Sequence, residues 1–157
     1  MPLSQFDRPP SDRYFEDYVP GLTYEFGPIS ADEEDIINFA KTFDPQYIHT
    51  DPVAAANGPF HGLIASGWHT ASLITRLFIE HFLTSVASLA SPGLDEIRWL
   101  SPVRPGDQLR LQVAVVDKRI SRSKPDRGLV YTPLEGRNDK GELVITMKGI
   151  NFVRVRP

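Results

Sequence analysis

The sequence predicts an α+β domain. Three observations carry that expectation. The first half holds two helix signatures and one long apolar helical stripe. The second half holds four β-rich runs. Turn chemistry separates those runs at hairpin-sized intervals.

The chain has 157 residues, enough for one domain, 1–157, with a sizeable core. Hydrophobic residues make up 41% and charged residues 24%, an ordinary balance for a globular protein. The formal net charge is −3. With no basic field, nucleic acid is excluded as an expected partner. There is no cysteine, which removes disulfides, thiol nucleophiles and thiolate metal sites. The start, MPLSQFDRPPSDRYF, is polar and lacks the apolar core of a secretory signal. The longest apolar stretch, 73–83, is broken by Thr75, Arg76, Glu80 and His81, too short for a membrane span. A cytoplasmic location without membrane contact is expected.

Residues 1–13 carry prolines and charges and read as a loose arm. LTYEF, 22–26, follows Gly21 and reads as a first strand. In SADEEDIINFAKTF, Ser30 is a good N-cap and Glu33 completes a capping box. Ile36, Ile37, Ala40 and Phe43 give an apolar face at helical spacing. Pro45 ends that helix, which leaves Asp44 just past its terminus. DPVAAANG predicts a second, short helix, with Asp51 as N-cap, Pro52 at the first helical position and Gly58 as stop. His49 then falls in a short loop between two helices.

GLIASGWHTASLITRLFIEHFLTS is the longest helical pattern. Ile64, Trp68, Ala71, Ile74, Phe78 and Phe82 form one stripe, widened by Leu73, Leu77 and Leu83. His69, Ser72, Arg76 and Glu80 form a narrow polar stripe. That pattern predicts a buried helix over 64–82. The β-rich runs are LDEIRWL, DQLRLQVAVVDKRI, GLVYTPLEGRND and ELVITMKGINFVRVRP. SPVRPGD, SKPDRG and NDKG separate them. An antiparallel sheet wrapped around the long helix is the simplest packing.

The stretch FDPQYIHTDP raises the chemical question, because it places Asp44 five residues before His49. A carboxylate and an imidazole in one pocket handle protons near neutrality. A partly apolar site would raise the Asp44 pKa toward a useful range. Adding water across a double bond conjugated to a carbonyl needs such services, and it needs donors for the developing enolate charge. The start of the long helix offers unpaired N–H groups. There Gly67, without a Cβ, lets a carbonyl oxygen approach. Asp51 is explained as a cap, whereas Asp44 has no such structural duty. Read from spacing alone, the pair could equally be a turn Asp and a surface His.

The remaining histidines carry less. His61 and His69 could join His49 and Asp51 around a metal, but no metalloenzyme spacing is present, so no metal is expected. His81 lies near the long helix's C-terminus, where a cation is favoured. No nucleophile elbow and no phosphate-binding loop occur.

Together these segments resemble the MaoC-like dehydratases, a hot-dog-fold family related to the R-specific enoyl-CoA hydratases. FDPQYIHTDPVAA resembles the family's hydratase motif, in which an Asp is followed five residues later by a His. GLIASGWHTASL resembles the segment leading into the central helix. LDEIRWLSPVRPGDQLRL resembles the strand–turn–strand that follows. The resemblance implies that Asp44 and His49 hold the reacting water and that the Gly67 N–H binds the thioester oxygen, with Ser66 and Trp68 beside it. It further implies hydration of a trans-2-enoyl-CoA, or dehydration of an R-3-hydroxyacyl-CoA, in fatty acid metabolism. It implies a homodimer or dimer of dimers without cofactor. The chain departs from the motif in three places. PQYI replaces an Asn-Pro-containing spacer, Ser66 stands where a His is frequent, and Trp68 stands where a flexible apolar residue is frequent. A non-catalytic acyl-CoA-binding protein and an acyl-CoA thioesterase remain as alternatives.

Overall fold

The computed structural model describes residues 2–157. Met1, the first residue of the expected arm, lies outside them. The order of elements is β1 (Thr23–Ser30), α1 (Glu33–Phe43), α2 (Tyr47–Thr50), α3 (Pro52–Ala56), α4 (Gly67–Leu77), then β2 (Gly93–Trp99), β3 (Gln108–Ala114), β4 (Asp117–Ile120), β5 (Arg127–Arg137) and β6 (Leu143–Arg154). No helix among the described residues is long and apolar enough to cross a membrane.

The strands form one antiparallel sheet in the order β1-β3-β5-β6-β2, with β4 paired to β5. Its inner face packs on α4, which is the hot-dog arrangement. Alternation on β3 sets the face: Leu109, Leu111 and Val113 are buried between less buried residues, the period-2 signature of a strand covered on one side. Ile74 and Leu77 of α4 meet them in the core with Val144, Ile145 and Met147. Gly136 marks one close approach of helix and sheet. A Cβ there would sit 2.6 Å from Ile145 and 2.9 Å from Ile74, so a side chain would push the helix off the sheet.

Several sequence expectations need correction. The run 107–120 is two strands, because the chain shifts its pairing along β5 after Ala114. β2 pairs with β6 rather than with β3, so the SPVRPGD turn is a crossover between non-adjacent strands. The first strand extends to Ser30, past a register shift between Phe26 and Ile29. Ser30 is therefore a strand residue. Asp32 takes the N-cap position of α1, and the Ser30 hydroxyl donates to its Oδ1 at 2.7 Å. On α1, Ile36 and Ala40 are buried, but Phe43 faces solvent.

The long helix is shorter than its pattern. Residues 62–65 are not helical, α4 starts at Gly67, and a π turn (Phe78–Phe82) finishes it. One side of α4 remains open, exposing Trp68, Ser72, Arg76 and Ile79. His69, read as part of a polar stripe, is buried instead. The α4 terminus is capped from an unexpected source. Buried Arg13 donates to the carbonyls of His81 and Phe82, each at 2.8 Å. The Tyr18 hydroxyl adds a bond to Phe82 O at 3.0 Å. Arg13 thus fills the cationic role read for His81, whose exposed ring stacks near Phe26. The arm is accordingly docked and not loose. Phe6 stacks on Tyr24 with centroids 4.1 Å apart, and the Ser4 N–H donates to Thr23 O.

Candidate active site

The site is assembled by three short segments. α1 ends at Phe43, as Pro45 requires. Asp44 closes it, donating its N–H to Ala40 O at 2.8 Å. The next residues turn at once into α2, so His49 stands inside a one-turn helix and not in a loop. α3 follows with the predicted cap: Asp51 Oδ1 accepts from the N–H groups of Val53 and Ala54 at 3.1 and 3.0 Å, and Pro52 is at the first helical position.

The segment leading into α4 then threads past these turns. The Ile64 N–H donates to Ile48 O at 3.1 Å, and the Ala65 N–H donates to Val103 O at 2.8 Å. The Ile64 carbonyl in turn accepts from His49 Nδ1 at 2.8 Å. One residue, Ile64, therefore fixes both the backbone of α2 and the orientation of the His49 ring. A carbonyl cannot donate, so Nδ1 carries the hydrogen, and whenever the ring is neutral its Nε2 presents a lone pair. Nε2 points at Asp44 Oδ2, 3.4 Å away. His49 is buried, while the Asp44 side chain keeps 19% exposure.

Asp44 is held at both oxygens. The Gln46 amide donates to Oδ1 at 2.6 Å, and the Ser66 hydroxyl donates to Oδ2 at 2.7 Å. These two bonds, helped by the neighbouring imidazole, hold the carboxyl below the ordinary Asp range despite partial burial. The expectation of a raised pKa is thus overturned: donors to the charged form outweigh desolvation. The site rests with an ionised carboxylate. A neutral imidazole and that carboxylate are both acceptors, so they bond to each other directly only when the ring is protonated.

Ser66 also caps α4, since its Oγ accepts from the Trp68 N–H at 3.3 Å. It was expected beside the substrate, but it is fully buried with its hydroxyl turned to Asp44, and it does not line the cavity. Gly67 and Trp68 do line it. The cavity has a volume of about 420 Å³, and its walls include Asp44, His49, Ile64, Trp99 and Val103. Among the described residues the Gly67 N–H donates to no acceptor, as befits the first turn of a helix. Gly67 is small for a reason the sequence did not supply. A Cβ there would fall 2.5–2.8 Å from the Trp99 indole, and Trp99 Nε1 donates to Gly67 O at 2.7 Å.

The sequence reading missed Gln46, the Ile64 carbonyl and Trp99. Gln46 could have been found as a polar residue two positions after an Asp in a turn. Trp99 gave no signal within its own strand. Of the histidines weighed for a metal, His61 is exposed at a φ of +56°. His69 is buried with its ring stacked 4.9 Å from Phe39. Neither lines the cavity.

Comparison with known proteins places the chain in a family. The MaoC like domain profile matches residues 17–135. The chain is 31% identical over 139 residues to YdeM of Bacillus subtilis, covering 85% of this chain and 97% of that protein. It is 36% identical over 90 residues to 3-hydroxyacyl-thioester dehydratase Z of Mycobacterium tuberculosis, covering 56% of this chain and 60% of that protein. The crystal structure of the MaoC-like dehydratase from Rhodospirillum rubrum superposes with a TM-score of 0.85 at 34% identity, over 92% of this chain and 99% of that one. With the match spanning the helical layer, the pair and most of the sheet, the chain belongs to the MaoC-like dehydratase domain family.

Proposed function

We propose that the protein is a hydratase/dehydratase of acyl-CoA thioesters. It adds water to a trans-2-enoyl-CoA or removes it from an R-3-hydroxyacyl-CoA. The observation that carries this reading is the convergence of Asp44 Oδ2 and His49 Nε2, 3.4 Å apart, on a cavity that also borders the Gly67 N–H. The dehydratase named among its relatives supports the same substrate class.

In this mechanism a water donates one hydrogen to each of the two acceptors. The thioester oxygen accepts from the Gly67 N–H at the positive end of α4. As the water oxygen bonds to Cβ, one proton passes to the Asp44–His49 pair, and the enolate charge gathers at the thioester oxygen. The pair then returns one proton to Cα on the same face. One proton enters and one leaves, so the pair holds a single extra proton at a time, shared as a coupled unit. Neither group alone is assigned as base. No metal or organic cofactor enters this scheme.

Strand β2 is an edge of the sheet and leaves one row of backbone N–H and C=O groups without a partner strand. An unpaired edge favours pairing with a second copy. A homodimer or dimer of dimers in the cytoplasm is the proposed working form. Sedimentation at micromolar concentration is expected to give at least a dimer.

The test is direct. Crotonyl-CoA is expected to lose its conjugated absorbance in the presence of the protein, with a 3-hydroxy thioester formed. Asp44→Asn and His49→Ala should each cut turnover by about 10²–10⁴-fold, and the double variant should be scarcely worse than either single one. Free CoA thiol without hydration would make the protein a thioesterase. Acyl-CoA binding without turnover would make it a binding protein.

A further inference from the structure

Both tryptophans of the chain sit at one place. The sequence contains two, Trp68 at the start of α4 and Trp99 at the end of β2. Their rings meet edge to face, with centroids 5.1 Å apart and planes at 78°. Trp99 is fixed. Its indole occupies the side of Gly67 where a Cβ would stand, and its N–H is bonded to the Gly67 carbonyl. Trp68 leans on that fixed ring and stays 55% exposed.

The position of Trp68 relates two spaces. It lines the 420 Å³ cavity that holds Asp44 and His49, and it lines a second groove of about 520 Å³. Beside the polar Ser72, Thr75, Arg76 and Glu80, the groove between α4 and β2 is lined by Ala71, Ile79, Leu94, Ile97 and Met147. Those apolar residues would suit an alkyl chain, since each buried methylene favours binding. The indole stands at the junction. A flexible side chain there would yield to an alkyl tail. An indole has only two side-chain torsions, and here the Trp99 ring supports it from behind.

We propose that Trp68, braced by Trp99, is the end wall of the acyl chamber and restricts the substrate to thioesters of short acyl groups. The proposal rests on the hydratase reading and narrows it to a substrate class. Trp68 is the specificity-determining residue. Trp99 is a positioning residue that acts through Trp68 and through the Gly67 peptide.

The experiment measures kcat/KM of the purified protein for crotonyl-, hexenoyl-, octenoyl- and decenoyl-CoA, for the wild type, Trp68→Ala and Trp68→Phe. Saturated butyryl- to decanoyl-CoA are titrated in parallel by tryptophan fluorescence, excited beyond the tyrosine band so that it reports on these two rings. In an open groove, specificity should rise by about fourfold per added methylene. The wall instead predicts a wild-type profile that falls beyond hexenoyl-CoA. Trp68→Ala should raise the decenoyl-to-crotonyl ratio by at least about tenfold, with Trp68→Phe in between. A wild-type profile that rises through decenoyl-CoA overturns the proposal, as does an unchanged ratio in Trp68→Ala. The ring is exposed and outside the core, and Trp68→Phe gives a second, milder reading of the ratio. If no enoyl-CoA is hydrated but saturated chains bind with the same length dependence, relieved in Trp68→Ala, the wall stands and the hydratase reading fails. If turnover occurs with no length dependence in any variant, the hydratase reading stands and the wall fails. If no acyl-CoA is turned over or bound at any length, both fall.

Discussion

Replacing Ser66 by alanine tests how the site is held together. Its hydroxyl does two things at once: it donates to Asp44 Oδ2 and accepts from the Trp68 N–H. Loss of a helix cap costs about 1 kcal/mol. Loss of a hydrogen bond to a charged group costs about 1.5–3 kcal/mol. The lower end applies here, because the Asp44 side chain is 19% exposed and water can take the place of the hydroxyl. Together these give about 2.5 kcal/mol. For a chain of this size that corresponds to a fall in Tm of about 5–10 °C. The functional effect follows from the same bond. Ser66 is one of the two donors that hold the Asp44 carboxyl below its ordinary range. A group with a depressed folded pKa works above that pKa and is lost as the pH falls through it. In Ser66→Ala the folded pKa moves back up, so the acid limb of the pH–rate profile should shift to higher pH and kcat should fall. Ser66→Thr keeps a hydroxyl and a competent cap, and should restore the acid limb even if its extra methyl costs some stability. Thermal unfolding by circular dichroism and a pH series of hydration rates make the two measurements. An unmoved acid limb in Ser66→Ala, with Asp44 still required for turnover, would refute the claim that Ser66 tunes the carboxylate.

Three further perturbations separate structural from chemical duties. Asp51→Asn still caps α3 and should leave activity and Tm nearly unchanged, whereas Asp51→Ala should cost about 1 kcal/mol by equilibrium unfolding. Arg13→Met removes two bonds to the last carbonyls beyond α4 and should cost about 3 kcal/mol in urea, with the arm becoming sensitive to limited proteolysis. Burial holds the His69 ring below the ordinary histidine range, against a weaker opposing influence of Asp35. The unfolded chain therefore takes up a proton that the folded chain resists, and stability is lost as pH falls from the ordinary value toward the lowered one. Tm of the wild type should drop between about pH 7 and about pH 5, and His69→Phe should flatten that drop.

The parts of this molecule that were legible in the sequence are those written by local rules. Pro45 ends α1 because of its own geometry, and Asp51 with Pro52 starts α3 for the same kind of reason. Turn residues divide the β half, and the period-2 pattern on β3 names its buried face. Where two local signals competed, reading failed by a small step. Ser30 and Asp32 are both good caps, and the choice fell to β1, whose pairing with Gln108 extends through Ser30. His49 was placed in a loop because a four-residue helix leaves no periodicity to detect. His69 looked polar on a helical wheel, yet Phe39 of α1 closes over it, a contact between elements thirty positions apart. The site follows the same division. Asp44 and His49 were visible because they lie within one motif. Ser66 was visible as a residue but not as a role, since its bond to Asp44 spans 22 positions. Trp99 was silent altogether. Nothing in LDEIRWL says that an indole from β2 will fill the side of Gly67 that lacks a Cβ. That glycine was read as room for a substrate oxygen, but the room on its Cβ side is taken by a side chain. The approach left to a carbonyl is along the N–H itself. Trp99 therefore narrows the direction from which a thioester could reach Gly67, and it does so next to the ring of Trp68. The two departures from the motif at Ser66 and Trp68 are linked in this way. One fixes the carboxylate behind the cavity; on the proposed reading the other would limit what lies in front of it, and the Gly67 N–H between them would be the donor.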